Sequence, residues 1–274
     1  MTVLVTGATG TVGSNVIRQL KRLDPEIAIR ALSRNREARL PEGVELAIGD
    51  LAEPESLDGA FDGVEAVHFI NFAGDQYAPL ENAAEVVALA ERAGVKRATV
   101  LGGRADGELE RALGAGSIET TLLHPVEFMS NTAMWWAGPV KAEGVIREPF
   151  GDRVSAMIHP ADIGAVAAKV LTESGHGGEA YLLTGPEAVA LPDKVRILGE
   201  AIGRELEFIE LTVGEAESRW ARQGMGEDMI AFLIEALGDT PEEGRTVVDT
   251  VERITGRPAR TFADWAVENA ELFT

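Results

Sequence analysis

With 274 residues, 45% of them hydrophobic, the chain has the length and composition for one large or two small cores. Its 25 Lys and Arg against 45 Asp and Glu leave a formal net charge of -20, which repels phosphate backbones and anionic headgroups and argues against nucleic acid or a membrane surface as partner. With no cysteine and only 4 histidines it has no disulfide, thiolate, Cys-ligated zinc or iron–sulfur cluster and too little for a metal cage, so redox chemistry here requires an organic cofactor.

A β-like run begins at Thr2 with no basic segment before it, and no apolar stretch approaches the roughly 18 residues of a membrane span, so a soluble, cytoplasmic protein is expected. Short β-branched runs predict strands near 2–6, 26–32, 44–48, 65–70, 98–102 and 119–124, and helical periodicity predicts helices near 11–23, 80–93 and 107–114. That alternation is an α/β fold built of βαβ units around a parallel sheet. Val12, Val16, Leu20 and Leu23 stripe the first helix, and Leu80, Ala84, Val87 and Ala88 the second, before a stop at Gly94. From about 126 to 154 the rhythm breaks, which predicts an insertion over the sheet ending in a loop at Gly151-Asp152. Val154–Ile158, a helix over 161–171 and Ala180–Leu183 resume the α/β pattern, and the remainder is mostly helical. Residues 200–274 hold 7 Lys and Arg against 17 Asp and Glu, half of the net charge, as expected of solvated helix faces.

The first strand runs through Thr6-Gly7-Ala8-Thr9-Gly10-Thr11-Val12-Gly13 straight into the first helix. Gly7 suits a tight turn, Gly10 lets a phosphate approach the backbone, Gly13 lets helix and strand pack closely, and the helix-start N–H groups then face a pyrophosphate. The G-x-x-G-x-x-G spacing is one residue longer than the commonest dinucleotide fingerprint, and a glycine triplet alone also serves a plain strand–helix turn; its place at the head of an alternating chain favours the dinucleotide. Where the second strand ends, an acidic residue would accept the ribose 2′-OH of NAD; this chain has Ser33-Arg34, which suits the 2′-phosphate and favours NADP(H) over NAD(H), Arg34 otherwise being a solvated loop cation. After the third strand, Asp50 and Leu51 stand where an adenine would lie, with Asp50 either binding the amine or capping a helix at Pro54.

These motifs, together with Leu122-Leu-His-Pro-Val-Glu-Phe-Met129, His159-Pro-Ala-Asp-Ile-Gly164, Tyr181-Leu-Leu-Thr-Gly-Pro186 and Thr261-Phe-Ala-Asp-Trp265, resemble the NmrA-like group of atypical short-chain dehydrogenase/reductases over almost the whole chain. The resemblance implies a doubly wound Rossmann domain, a smaller helical C-terminal lid domain and NADP(H) between them. It also implies either reduction of quinones and related small molecules or a cofactor-binding regulator with little chemistry. The expected division is 1–125 plus about 154–186 for the NAD(P)-binding domain and 126–153 plus 187–274 for the substrate or lid domain. The Tyr-x-x-x-Lys pair usual in short-chain reductases is missing: Tyr77 is followed four positions on by Glu81, and Tyr181 lies on a predicted buried strand. His124 stands where related proteins often carry Arg, and is either a proton donor at the strand end or a histidine packed under a loop. His159 reads as the residue leading into the helix after it.

In an open α/β sheet, ligands bind beyond the carboxyl ends of the strands. This adds Ile70, Asn71, Phe72, Gly102, Gly103, Pro125 and Phe128 to the cofactor site formed by Gly7, Thr9–Gly13, Ser33, Arg34, Asp50 and Leu51. Tyr77, Met129, Trp135, Trp136, Trp220 and Met225 are the expected substrate pocket, an apolar and aromatic lining suited to a flat acceptor. Trp135 and Trp136 are adjacent, so at least one must reach a pocket or the surface, whereas Met225, Met229, Phe232 and Ala236 follow helical spacing and read equally as core. The acceptor is expected to be quinone-like, or a biosynthetic ketone or imine.

Overall fold

The segment Thr2–Val5 is a strand whose last three residues are all buried, as a strand covered on both faces of a parallel sheet requires. A computed structural model of the protein describes residues 1–74, 78–102 and 107–274. In chain order its elements are β1 (Thr2–Val5), α1 (Thr11–Leu23), β2 (Ala28–Ser33), β3 (Val44–Ile48), β4 (Ala66–Ile70), β5 (Phe72–Ala73), β6 (Ala78–Pro79), α2 (Ala83–Arg92), β7 (Arg97–Leu101), α3 (Glu108–Gly114) and β8 (Glu119–Pro125). They continue with α4 (Asn131–Glu143), β9 (Val145–Pro149), β10 (Val154–Ser155), α5 (Pro160–Thr172), β11 (Ala180–Leu183), β12 (Val189–Ala190), α6 (Leu191–Ile202), β13 (Glu207–Leu211), α7 (Val213–Arg222), α8 (Glu227–Gly238), α9 (Glu242–Arg245), α10 (Thr250–Thr255) and α11 (Phe262–Glu268). No helix among the described residues is long and apolar enough to cross a membrane.

The chain divides into two units. The first comprises Met1–Pro125, Pro160–Leu183 and Thr250–Arg257 and carries a seven-stranded sheet in the order β11-β8-β7-β4-β1-β2-β3, parallel throughout. The chain winds outward from β1 to β3, then returns to the other side of β1 with β4, which is the doubly wound Rossmann arrangement and puts the switch point between β1 and β4. One face of the sheet packs Leu4, Val67, Phe69, Ala98 and Val100 with Val86, Val87 and Ala90 of α2. On α5, Gly164 lies against α1 so closely that a Cβ there would fall 2.7 Å from the carbonyl carbon of Asn15. The α1 stripe buries Val12, Val16 and Leu20 but leaves Leu23 exposed; on α2 the buried set is Ala83, Val86, Val87 and Ala90, one step away from the expected Ala84 and Ala88.

The second unit comprises Val126–His159, Thr184–Asp249 and Pro258–Thr274. The expected irregular insertion contains a full helix, α4, and a strand, β9, which pairs in parallel with β13. Its core joins Trp136, Val140 and Ile146 to Leu191, Val195 and Leu198 of α6 and to Phe262, Trp265 and Phe273. The closing Thr-Phe-x-x-Trp motif has a local cause: Thr261 and Asp264 form a capping box, and the rings of Phe262 and Trp265 stack 5.7 Å apart.

Three sequence expectations change. Residues 154–159 and 184–186 fall in the second unit and Thr250–Arg257 in the first, because β10 pairs antiparallel with β12 while α10 contacts α5 and β11. The strand expected over Val154–Ile158 is only the two residues of β10. The Met225, Met229, Phe232 stripe is not a core face: Met225 precedes α8, Met229 and Phe232 are 50% and 61% exposed, and the helix buries Ile230 instead, with Leu233, Ile234 and Leu237 packed beside it.

Candidate functional site

In the first unit the glycine turn sits at the switch point. Thr6 Oγ1 donates to the His68 carbonyl and accepts from Ile70 N–H, both at 2.9 Å, tying the end of β1 to β4. Gly7 has φ +58, and a Cβ there would meet Ile70 Cγ2 at 2.9 Å, so only glycine turns the chain here. Gly10 N–H closes the turn on the Gly7 carbonyl at 2.9 Å. A Cβ on Gly13 would stand 2.3 Å from that same carbonyl oxygen, so the third glycine is fixed by packing. Gly10 caps α1 with no side-chain hydrogen bond and no acidic residue follows in the first turn, while Thr9, Gly10 and Thr11 are exposed. The N–H groups at the start of α1, including those of Val12 and Gly13, therefore have no side-chain cap among the described residues and no acidic residue in their own turn, which suits a pyrophosphate.

Ser33 and Arg34 stand at the end of β2 beside this turn's own strand; Ser33 Oγ accepts from Asn35 N–H at 3.1 Å, and the half-exposed Arg34 guanidinium lies 3.9 Å from Asp50 Oδ2. Asp50 does not cap the short helix at Pro54, whose cap is Glu53; its Oδ1 accepts from Ala52 N–H at 2.9 Å, leaving Oδ2 towards Arg34. The Leu51 side chain is 5% exposed and belongs to the core, so any contact it makes with a base uses little of its surface. Ile70 backs Gly7, Asn71 Nδ2 donates to Glu110 Oε1 at 3.1 Å, and Phe72 follows in β5, with all three half-buried. Gly102, at φ +66, donates its N–H to the Leu123 carbonyl at 2.8 Å, and Pro125 ends β8. His124 is half-buried on β8 opposite Leu182 of β11. Gly103 and Tyr77 lie outside the described residues. Tyr181 is buried, its hydroxyl 2.9 Å from His176 Nδ1 and its ring under the Arg253 guanidinium.

The second unit holds Phe128, which bridges to Ile158, and Met129, which is core. His159 is buried ahead of α5, with Nε2 3.2 Å from Glu268 Oε2. Met225 packs in the turn between α7 and α8. Trp135, Trp136 and Trp220 do converge, on a cavity of about 50 Å³ that also meets Met157, Leu233 and Leu237. Trp135 is 36% exposed and Trp136 5%. Four charged residues absent from the sequence expectations share the cavity: Glu127, Glu148, Arg153 and Lys194. Ser155 Oγ donates to Glu127 Oε2 at 2.7 Å and accepts from Lys194 Nζ, which is itself 3.6 Å from Glu127 Oε2. Burial lowers the Lys194 ammonium to about 8 against the pull of Glu127. Burial also pushes the Glu148 carboxyl up, although Trp136 Nε1 donates to it at 3.1 Å. Glu127 stays below the usual carboxylate range because Lys194 and Arg153 outweigh its burial. Lys194 was legible in principle: it sits on the apolar face of α6 with Leu191, Val195 and Leu198.

A family model described as NAD(P)H-binding matches residues 7–125. The (4-alkanoyl-5-oxo-2,5-dihydrofuran-3-yl)methyl phosphate reductase of Streptomyces griseus is 35% identical over 286 residues, covering 99% of both chains. The NAD(P)H azoreductase of Xenophilus azovorans is 33% identical, also over 99% of both. Among solved structures, the NADPH-dependent quinone oxidoreductase of Escherichia coli complexed with NADPH superposes with a TM-score of 0.79 at 26% identity, over 97% of this chain and 99% of that one.

Proposed function

This chain belongs to the NmrA-like group of NAD(P)H-binding, atypical short-chain dehydrogenase/reductases, and from that premise we propose that it is an NADP(H)-dependent reductase of a small apolar or aromatic acceptor, quinone-like in its demand for hydride. The observation that carries the reading is the Gly7–Gly13 turn at the sheet's switch point, exposed over Thr9–Thr11, in a chain alike from end to end to an azoreductase and an (alkanoyl-oxo-dihydrofuranyl)methyl phosphate reductase. Thr9–Gly13 would hold the pyrophosphate and Ser33 and Arg34 the 2′-phosphate, with Asp50 and Leu51 towards the adenine and Ile70–Phe72, Gly102 and Pro125 at the strand ends. NADPH, when bound, supplies a hydride.

What the chain itself adds is orientation and exclusion of water rather than an acid–base pair. Tyr181 is engaged with His176 and followed four residues on by Gly185, so it has no lysine at the pair's spacing. A quinone that accepts hydride becomes a hydroquinone anion, a phenolate that solvent protonates, so no protein acid is required. A simple ketone would give an alkoxide, too basic to leave without one. His124, at the carboxyl end of β8, is the residue that decides between them.

The test is loss of NADPH absorbance with a panel of quinones, azo dyes and ketones. Turnover of quinones or azo dyes, with His124→Ala within about threefold of the unmutated kcat, supports the donor-free reading; a fall of about 10²–10⁴ in kcat with the fold intact makes His124 the acid and a carbonyl the substrate. Tight NADPH binding with no turnover of any acceptor identifies a cofactor sensor instead.

A further inference from the structure

The cavity in the second unit is unusual for an apolar aromatic pocket because its charges are incompletely matched. Arg153 is 8% exposed at its side chain, its ion pair with Glu127 is 4.0 Å long, and its Nε is buried with no hydrogen-bond partner among the described residues. A guanidinium removed from water with a donor unmet lacks an acceptor. Lys194, 2% exposed, donates one N–H to Ser155 Oγ and shares the same Glu127 carboxylate with Arg153. Two buried cations thus converge on one well-paired anion. The remaining carboxyl, Glu148, accepts from Trp136 Nε1, and burial raises its pKa, which weakens its claim on Arg153.

The backbone is strained to make this arrangement. Phe150, between Glu148 and Arg153, has φ +60, the described non-glycine residue in the left-handed region; Gly151 N–H is anchored on Glu210 Oε1 at 2.8 Å and Arg153 N–H on the Phe150 carbonyl at 3.0 Å. A bulky residue held there is strained, and such strain collects at ligand sites.

We propose that this cavity is an oxyanion subsite, in which Arg153 and Lys194 take the carboxylate or phosphate monoester of an acceptor whose remainder is apolar and lies along the half-exposed Trp135. A cavity of about 50 Å³ has room for such a head group. This rests on the reductase reading only in naming the bound molecule as the acceptor; the subsite itself stands on the charges.

The test therefore uses binding, not turnover. Calorimetric titration of the full chain with benzoate, phenyl phosphate and uncharged benzamide, at constant ionic strength, should give at least tenfold tighter binding for one anion than for benzamide, and the better of the two identifies the head group. Arg153→Gln should remove that preference while NADPH binding persists. Glu148→Gln, which deletes the competing carboxylate but keeps a partner for Trp136, should tighten anion binding at least threefold, a gain that a misfolded variant does not mimic. Equal affinity for benzoate, phenyl phosphate and benzamide, or no binding of any, overturns the subsite, as does unchanged anion affinity in both variants. Anion binding that persists in a protein without turnover overturns the reductase reading and leaves the subsite standing.

Discussion

Arg34 is the residue on which cofactor choice turns. It shares its position with Asp50, 3.9 Å away, so a 2′-phosphate would meet a guanidinium already turned towards an anion. Arg34→Asp is expected to weaken NADPH binding by about 1–3 kcal/mol, the scale of one charge-assisted contact, and to leave NADH nearly unchanged in a fluorescence titration; equal losses for both would remove the 2′-phosphate from the argument. His68 makes a second prediction at this scale. It is wholly buried in β4 with Nδ1 2.8 Å from Thr99 Oγ1, and burial lowers its pKa from 6.5 to about 4. The unfolded chain therefore binds the additional proton between those two values. Stability is complete above about 6.5, falls as the pH drops towards 4, and loses about 3 kcal/mol across that window. Urea melts from pH 7.5 to 4.5 should show the stability gap between the unmutated protein and His68→Asn closing over this range. A constant gap would mean that His68 titrates in the folded state as it does in the unfolded chain. No periodicity marked His68 beforehand, because its burial follows from lying in an interior strand, whereas Lys194 broke an apolar helical stripe and was readable from that alone.

At the scale of the element, the glycine turn was the most legible part, since two of its three glycines, Gly7 and Gly13, answer a local steric demand. The geometry separates Gly10 from Gly13. A Cβ on Gly10 would meet the Gly7 carbonyl oxygen at 3.2 Å, a contact that a slight shift relieves, and the residue has φ -78, which any L-residue adopts. On Gly13 the same carbonyl would be 2.3 Å away. Gly10→Val is therefore expected to fold with less than about 1 kcal/mol lost yet to bind NADPH at least tenfold more weakly, while Gly13→Ala loses about 1–3 kcal/mol of stability by thermal melting. If Gly10→Val binds NADPH normally, the turn does not hold the pyrophosphate. The helices of the second unit were harder to read. On α8, Met229 and Phe232 repeat with helical spacing, but Ile230, Leu233, Ile234 and Leu237 repeat beside them, and hydrophobicity alone does not say which stripe is covered. The charged cavity was hidden for a related reason: Glu148 and Arg153 meet only because the chain reverses at Phe150, a residue whose type gives no hint of a left-handed turn.

At the scale of the whole molecule, the alternating pattern announced a parallel sheet, but where the two units divide depends on pairings between distant segments that no local signal records. Each unit is assembled from three segments, and the NAD(P)H-binding family match, residues 7–125, covers only the first segment of the first unit. That segment lacks β11, the neighbour of β8, and α5, which buries Ile163, Val166, Val170 and Leu171. At about 1.5–3 kcal/mol for each large apolar side chain, those four contribute about 6–12 kcal/mol, as much as the entire net stability of an ordinary domain. Removing β11 also leaves β8 as an edge strand with the run Leu122–Pro125 unpaired, an invitation to association. A fragment ending at Pro125 is therefore expected to show no cooperative urea transition and no NADPH binding, and to aggregate at micromolar concentration, although it contains every glycine of the turn. Adding back Pro160–Leu183 through a flexible linker should restore both the transition and NADPH binding, because it returns the missing strand and the close α1–α5 contact at Gly164. A soluble 1–125 fragment that unfolds cooperatively and binds NADPH would show that the first segment holds its own core and that α5 and β11 merely decorate it.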